Sequence, residues 1–152
     1  MNEGITIDRA RAEDVAAIVA MLADDELGAR REDPGNLAPY LAAFEVIDAD
    51  PHQFLAVARR GDRVVGTLQL TFLPGLSHRG ATRAQVEAVR VHSDVRGGGL
   101  GTDLLAWAEE EARRRGAAML QLTSDASRED AHRFYERLGY TASHVGFKKR
   151  LG

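Results

Sequence analysis

The chain contains no cysteine, which excludes disulfides, thiolate metal sites, cysteine nucleophiles and iron–sulfur clusters together. Lysine is nearly absent as well. None occurs before Lys148, so a phosphate loop of the G-x-x-x-x-G-K-[ST] type cannot be built. No stretch approaches the ~18 consecutive apolar residues of a membrane span. The segment Met1–Arg11 carries Glu3, Asp8 and Arg9 where a signal peptide would have a basic start and an apolar stretch, so a cytoplasmic protein is expected. An excess of either charge is also missing. Twenty Lys+Arg against 23 Asp+Glu leave a formal charge of −3 with the basic residues dispersed, so neither nucleic acid nor membrane is expected as a partner. His52, His78, His92, His132 and His144 show no close ligand spacing such as H-E-x-x-H, and no metal is expected. What is present is the composition of a globular protein: 152 residues, 44% hydrophobic and 28% charged, with four prolines and no low-complexity tract. One domain over residues 1–152 is expected.

The pattern predicts a short strand at Ile5–Ile7, then an amphipathic helix over Ala12–Leu27 with Val15, Ile18, Val19 and Leu22 on one face. Asp33-Pro34-Gly35-Asn36 ends that stretch. Leu37, Tyr40, Leu41, Phe44 and Ile47 form a second helical stripe that stops before Asp50-Pro51. Gln53–Arg59 and Val64–Phe72 read as a hairpin joined at Arg60–Arg63, Leu73–Ala84 as a loop and Gln85–His92 as a further strand. In that strand Glu87 is expected on the same face as Val89 and Val91. Leu100–Arg115 is the strongest helix, with Leu104, Leu105 and Ala108 on its apolar face, Glu109–Glu111 four residues before Arg113–Arg115, and Gly116 at the C′ position. Ala117–Thr123 is read as a strand and Ser127–Asp130 as a capping box. It opens a helix through Ala131, Phe134, Tyr135 and Leu138, closed by Gly139, and a last extended run covers Tyr140–Leu151. The order β-α-α-β-β-β-α-β-α-β describes an α/β (α+β) chain, with a mixed, mostly antiparallel central sheet flanked by helices and one parallel crossover.

Between the third long strand and the strongest helix lies Arg96-Gly97-Gly98-Gly99-Leu100-Gly101-Thr102. Glycines permit close backbone approach, and the free N–H groups of a first helical turn face an anion. A glycine turn that merely caps a helix is the plain alternative. The dinucleotide fingerprint G-x-G-x-x-G fits badly: started at Gly97 and Gly99 it meets Thr102, and started at Gly99 and Gly101 it meets Leu104. The pattern R/Q-x-x-G-x-G/A is matched in full by Arg96–Gly101, and Ala131–Tyr140 matches A-x-x-F-Y-x-x-x-G-[FY]. On these two segments the chain resembles the GNAT (GCN5-related) N-acetyltransferase superfamily over roughly residues 53–151. Within it, Leu104–Tyr140 is similar to aminoalkylphosphonate N-acetyltransferases.

The resemblance implies transfer of an acetyl group from acetyl-CoA, bound as co-substrate, to a primary amine of a small molecule or peptide by direct attack in a ternary complex. Carried over residue by residue, backbone groups near Val89 and Val91 would pair with the pantetheine arm. N–H groups of Gly97, Gly98, Gly99, Leu100, Gly101 and Thr102 would hold the pyrophosphate. Arg96 would contact phosphate, or pair with an acid such as Asp94. An alkylamine with pKa ~10.4 is almost wholly protonated near neutrality, so a base has work to do, and Glu87 is its candidate; the same carboxylate could instead bind substrate or stand in solvent. A backbone N–H near Val89 would face the developing oxyanion. Tyr135 is the candidate general acid for the thiolate, and also sits on an apolar stripe where a packed tyrosine would fit. Relatives often carry Asn where this chain has Arg128, which puts a coenzyme contact there in doubt. Acceptor specificity would come from about Asp24–Asp50, an acidic stretch, and from Leu73–Ala84, where His78 could reach substrate. A homodimer is a further expectation. Two other readings stay open: a non-catalytic acyl-CoA sensor on the same fold, and a nicotinamide-dependent enzyme.

Overall fold

The computed structural model describes residues 3–152, which divide into two compact units, residues 3–121 and 122–152. The first opens with β1 (Ile5–Arg9), a 3₁₀ turn at Ala12–Asp14, and helices α1 (Val15–Leu22), α2 (Glu26–Arg31) and α3 (Ala38–Ala49). It continues with β2 (Gln53–Arg60), β3 (Arg63–Leu73), a single turn α4 (Ser77–Gly80), β4 (Arg83–Val91) and α5 (Leu100–Arg114). Strand β5 (Met119–Leu122) lies at the boundary, its last residue in the second unit, which carries α6 (Glu129–Arg137).

The five strands form one sheet in sequence order, with β1/β2, β2/β3 and β3/β4 antiparallel. The β2/β3 hairpin closes through Gly61 and Asp62, where Gly61 at φ 61° supplies the left-handed residue that the twist of the flanking strands requires. Side chains alternate between two covered faces. On one, Val57 and Val64 pack with Val15, Ile18, Val19 and Met21 of α1 and Phe44 of α3. On the other, a Cβ at Gly66 would lie 3.1 Å from Leu104 and 3.2 Å from Leu100, so α5 rests directly on the backbone there. Leu68, Leu70, Val86, Leu104, Leu105 and Ala108 are fully buried. Each large side chain among them contributes about 1.5–3 kcal/mol by leaving water.

The expected order of elements is observed through α6, with four local differences. The helix expected over Ala12–Leu27 is broken at Ala23–Asp25, because Asp25 accepts from the Gly28 backbone N–H at 2.6 Å and starts α2 afresh. The loop Leu73–Ala84 contains α4, whose His78 and Arg79 stand at φ 55° and 61°. Ser127 does not cap α6: its Oγ donates to Asp125 at 2.6 Å and the cap position is Arg128. The run Tyr140–Leu151, expected to be a last strand, takes no strand conformation, and residues 141–152 are all exposed.

A buried ion pair, invisible to pattern reading, ties the entrance of α1 to the sheet. Arg59 donates to both carboxylate oxygens of Asp14, at 2.7 and 2.6 Å, and to Asp8 at 3.1 Å. The hydrogen bonds from Arg59 hold the Asp14 carboxyl below its ordinary range against the opposing effect of burial.

Candidate functional site: a bulged strand and a glycine-opened helix

Strand β4 is irregular at one place. Thr67 faces Arg90 and Gln69 faces Glu87, so the single residue Leu68 of β3 stands opposite Ala88 and Val89. This is a β-bulge, and Ala88 occupies it at φ 55°. Left-handed backbone costs a residue with a Cβ roughly 1–2 kcal/mol, which the ladder on either side sustains.

The bulge overturns one expectation. Because one extra residue is inserted, Glu87 does not share a face with Val91. Glu87 and Arg90 pair with Gln69 and Thr67, on the face covered by α1 and α3, whereas Val91 pairs with Gly66 on the face covered by α5. Glu87 is exposed. Arg90 is mostly buried and approaches Asp25 at 3.8 Å, and its Nη1 donates to the Val89 carbonyl at 2.9 Å. Glutamines continue this polar strip: Gln69 donates to Gln53 at 2.8 Å, and Gln121 donates to Gln85 at 3.0 Å. Arg90 and Asp25 were not singled out by sequence. Their signal is spacing across a bulge, which period-2 reading cannot see.

The chain then enters the glycine loop. Gly97 and Gly99 take φ 84° and 83°, and a Cβ on either would meet nothing within 4 Å. Their glycine character is therefore demanded by backbone conformation, with open space above it. Gly99 is the N-cap of α5 and carries no side chain to cap it, so the first-turn N–H groups of Leu100, Gly101 and Thr102 point outward. Beside them lies a cavity of about 270 Å³ lined by Ile5, Arg60, Asp94, Val95, Arg96, Gly98 and Leu100.

Arg96 pairs with a different acid from the one expected. Its Nε donates to the Val91 carbonyl at 3.2 Å and its Nη2 to Asp24 at 3.3 Å, both in solvent. Asp94 is held by Arg63 at 2.5 Å, which, together with His92, keeps its carboxyl below the ordinary range. The carbonyls of Val89 and Val91 thus each already accept from an arginine, leaving their second lone pairs and the neighbouring N–H groups.

Glu87, Val89, Val91, Arg96 and Gly97–Thr102 all lie in the first unit; Tyr135 lies in the second. There it sits on α6, half-buried, with ring centroids 5.2 Å from Phe134 and 6.1 Å from Tyr140 in edge-on geometry.

A bulged β4 running into an uncapped, glycine-opened helix accompanies a family match: residues 15–140 match the model of the acetyltransferase (GNAT) family. The chain belongs to that family. Aminoalkylphosphonate N-acetyltransferase of Salmonella typhimurium is 41% identical over 102 residues, 67% of this chain and 66% of that protein. The matched stretch thus spans slightly less than two thirds of that relative. A solved structure described as a transcriptional regulator from Bacillus halodurans superposes with a TM-score of 0.93 and 46% identity, covering 97% of this chain and 99% of that one. Glucosamine-6-phosphate N-acetyltransferase from Arabidopsis thaliana shares the GNAT fold at a TM-score of 0.79 and 16% identity, over 99% of this chain and all of that one.

Proposed function

We propose that this GNAT chain is one acetyltransferase domain, cytoplasmic, that transfers an acetyl group from acetyl-CoA to the primary amine of an aminoalkylphosphonate or a similar small acidic amine. The observation that carries this is the polar face of β4, where an exposed carboxylate and a mostly buried guanidinium flank the bulge. The β3 partners of Glu87 and Arg90 are two residues apart, about 7 Å along a strand. A carboxylate and a guanidinium at that spacing suit a molecule with an amine at one end and an acid at the other. The relative from Salmonella, named for aminoalkylphosphonates, supports the class.

The donor contributes an activated thioester, in which the C–S bond breaks as the amine nitrogen bonds to carbon. The chain's own residues fit the rest. Outward N–H groups of α5 and the cavity lined by Arg60 and Arg96 suit a pyrophosphate. Glu87 accepts the proton of the substrate ammonium, directly or through water. The residue left out of the ladder at Ala88–Val89 offers a backbone N–H to the carbonyl oxygen as charge develops there. Tyr135 supplies the proton that the departing thiolate takes up.

The test is a thermal-shift series with acetyl-CoA, CoA, NAD and ATP, followed by an amine screen. Saturating acetyl-CoA, at ~100 times its dissociation constant, should add about 2.7 kcal/mol. The shift should shrink in Gly99→Val, and turnover should fall in Glu87→Gln and Tyr135→Phe. A larger shift with NAD, or none with either coenzyme, would sink the reading. The similarity to the Bacillus halodurans protein described as a transcriptional regulator favours a second one, a non-catalytic acyl-CoA sensor. Binding without turnover of any amine would select it.

A further inference from the structure

Two adjacent acids, Asp24 and Asp25, touch both halves of the site, and neither has a role in the chemistry above. They form the corner between α1 and α2. Asp24 accepts from Nη2 of Arg96, on the loop that opens α5, at 3.3 Å and across 72 residues of sequence. Asp25 lies 3.8 Å from Nε of Arg90 on the polar face of β4, and its other oxygen accepts from the Gly28 backbone N–H at 2.6 Å. Each arginine is also fastened to β4 itself, Arg90 through the Val89 carbonyl and Arg96 through that of Val91.

The corner is built to move as one piece. A Cβ at Gly28 would lie 1.8 Å from the Leu22 carbonyl oxygen, so the first turn of α2 is seated directly on the end of α1. Asp24 and Asp25 lie between those two contact residues, and a displacement that takes one carboxylate off its arginine shifts the other. Both ligands of the proposed reaction are anionic where they meet these arginines. A pyrophosphate on the glycine loop competes with Asp24 for Arg96 and repels its carboxylate. The acid of the acceptor competes in the same way with Asp25 for Arg90. Whichever ligand binds first must displace the corner, and the second finds it already displaced. Such a coupling acts equally in both directions.

We propose that Asp24 and Asp25 are positioning residues that couple the two sites, so that coenzyme and acidic acceptor each raise the other's affinity. The proposal rests on the acetyl-transfer reading and adds to it the mutual dependence of the two sites. Arg96 and Asp24 are both about half exposed, which places the effect at the low end for linked sites, about fivefold.

Calorimetric titration of the wild-type chain with CoA, which has no acetyl group to transfer, and with aminoethylphosphonate measures the coupling. Saturating phosphonate should lower the CoA dissociation constant about fivefold, and saturating CoA should lower that of the phosphonate by the same factor. Propylamine, with no acid for Arg90, should leave the CoA constant unchanged. To Asp24→Asn, CoA alone should bind about fivefold more tightly than to wild type, and the phosphonate should add nothing. Asp24→Glu, which keeps the charge, should restore the coupling. Asp25→Asn, whose amide oxygen still caps α2, should abolish it. A purely structural role would lower the thermal midpoint of these variants and leave the coupling factor as in wild type, which would overturn the proposal. So would an equal gain from propylamine, or weaker CoA binding by Asp24→Asn. CoA binding to wild type with a coupling factor of one would overturn the proposal alone; no CoA binding at all would overturn it together with the acetyl-transfer reading.

Discussion

At the scale of single residues, the interior holds one contact whose loss should be costly. Asp14 and Arg59 are both buried and joined by two short hydrogen bonds, so neutralising Asp14 leaves the Arg59 guanidinium in a poorly solvated place with only its single hydrogen bond to the exposed Asp8. Asp14→Asn is expected to destabilise the fold by about 3–5 kcal/mol, read from urea midpoints. Its pH dependence has a definite sign. The Asp14 carboxyl titrates below its unfolded value of about 3.9, so its contribution is complete above that pH and is lost as pH falls through the lower folded value. Glu111 behaves alike, since burial raises its carboxyl's pKa but the hydrogen bonds from Arg114 and Arg115 outweigh that and lower it. Wild-type stability should fall steeply below about pH 4, and Asp14→Asn should flatten part of that fall. Arg90 offers the residue-scale test of substrate class. A hydrogen-bonded charge contributes roughly 1.5–3 kcal/mol, so Arg90→Ala should raise KM for an aminoalkylphosphonate about 10- to 100-fold. For a plain alkylamine KM should be unchanged. Equal losses for both amines would show that Arg90 serves the strand instead.

At the scale of elements, β4 decides the geometry of the site. Its inserted residue turns Glu87 and Arg90 onto one face and Val91 onto the other, and it does so through an alanine at φ 55°. Glycine adopts that conformation without the Cβ penalty but loses more entropy on folding, two effects of similar size. Ala88→Gly should therefore leave the thermal midpoint nearly unchanged, while Ala88→Val, β-branched in the left-handed region, should cost more than about 1 kcal/mol. If valine were tolerated and the register kept, the bulge would not depend on the conformation of Ala88. The glycine loop behaves differently. Gly97 and Gly99 have open space around them, so larger residues there should harm coenzyme affinity more than they harm packing.

At the scale of the whole molecule, charge is unevenly spread: Lys148, Lys149 and Arg150 carry +3 and the remaining residues a formal −6. Raising ionic strength from about 0.05 to 0.5 M shortens the screening length several-fold, so self-repulsion within the acidic remainder should weaken and the urea midpoint of unfolding should rise. A midpoint that fell with salt would mean that exposed ion pairs such as Arg63–Asp94 outweigh that repulsion.

The amino-acid sequence by itself determined the elements and the family. Helical spacing at Leu104, Leu105 and Ala108, alternation in β2 and β3, the glycines after Arg96 and the Phe134-Tyr135 pair are local signals, written over a few residues in periods that a chain cannot disguise. The Asp14–Arg59 pair and the face of Glu87 were decided only in three dimensions. The first joins residues 45 apart in sequence, and the second turns on a single inserted residue that leaves composition untouched and reverses every side chain after it. The run Tyr140–Leu151 shows the same division from the other side. Its strand-like alternation is local and legible, but whether a strand forms depends on tertiary pairing, and residues 141–152 take no strand conformation.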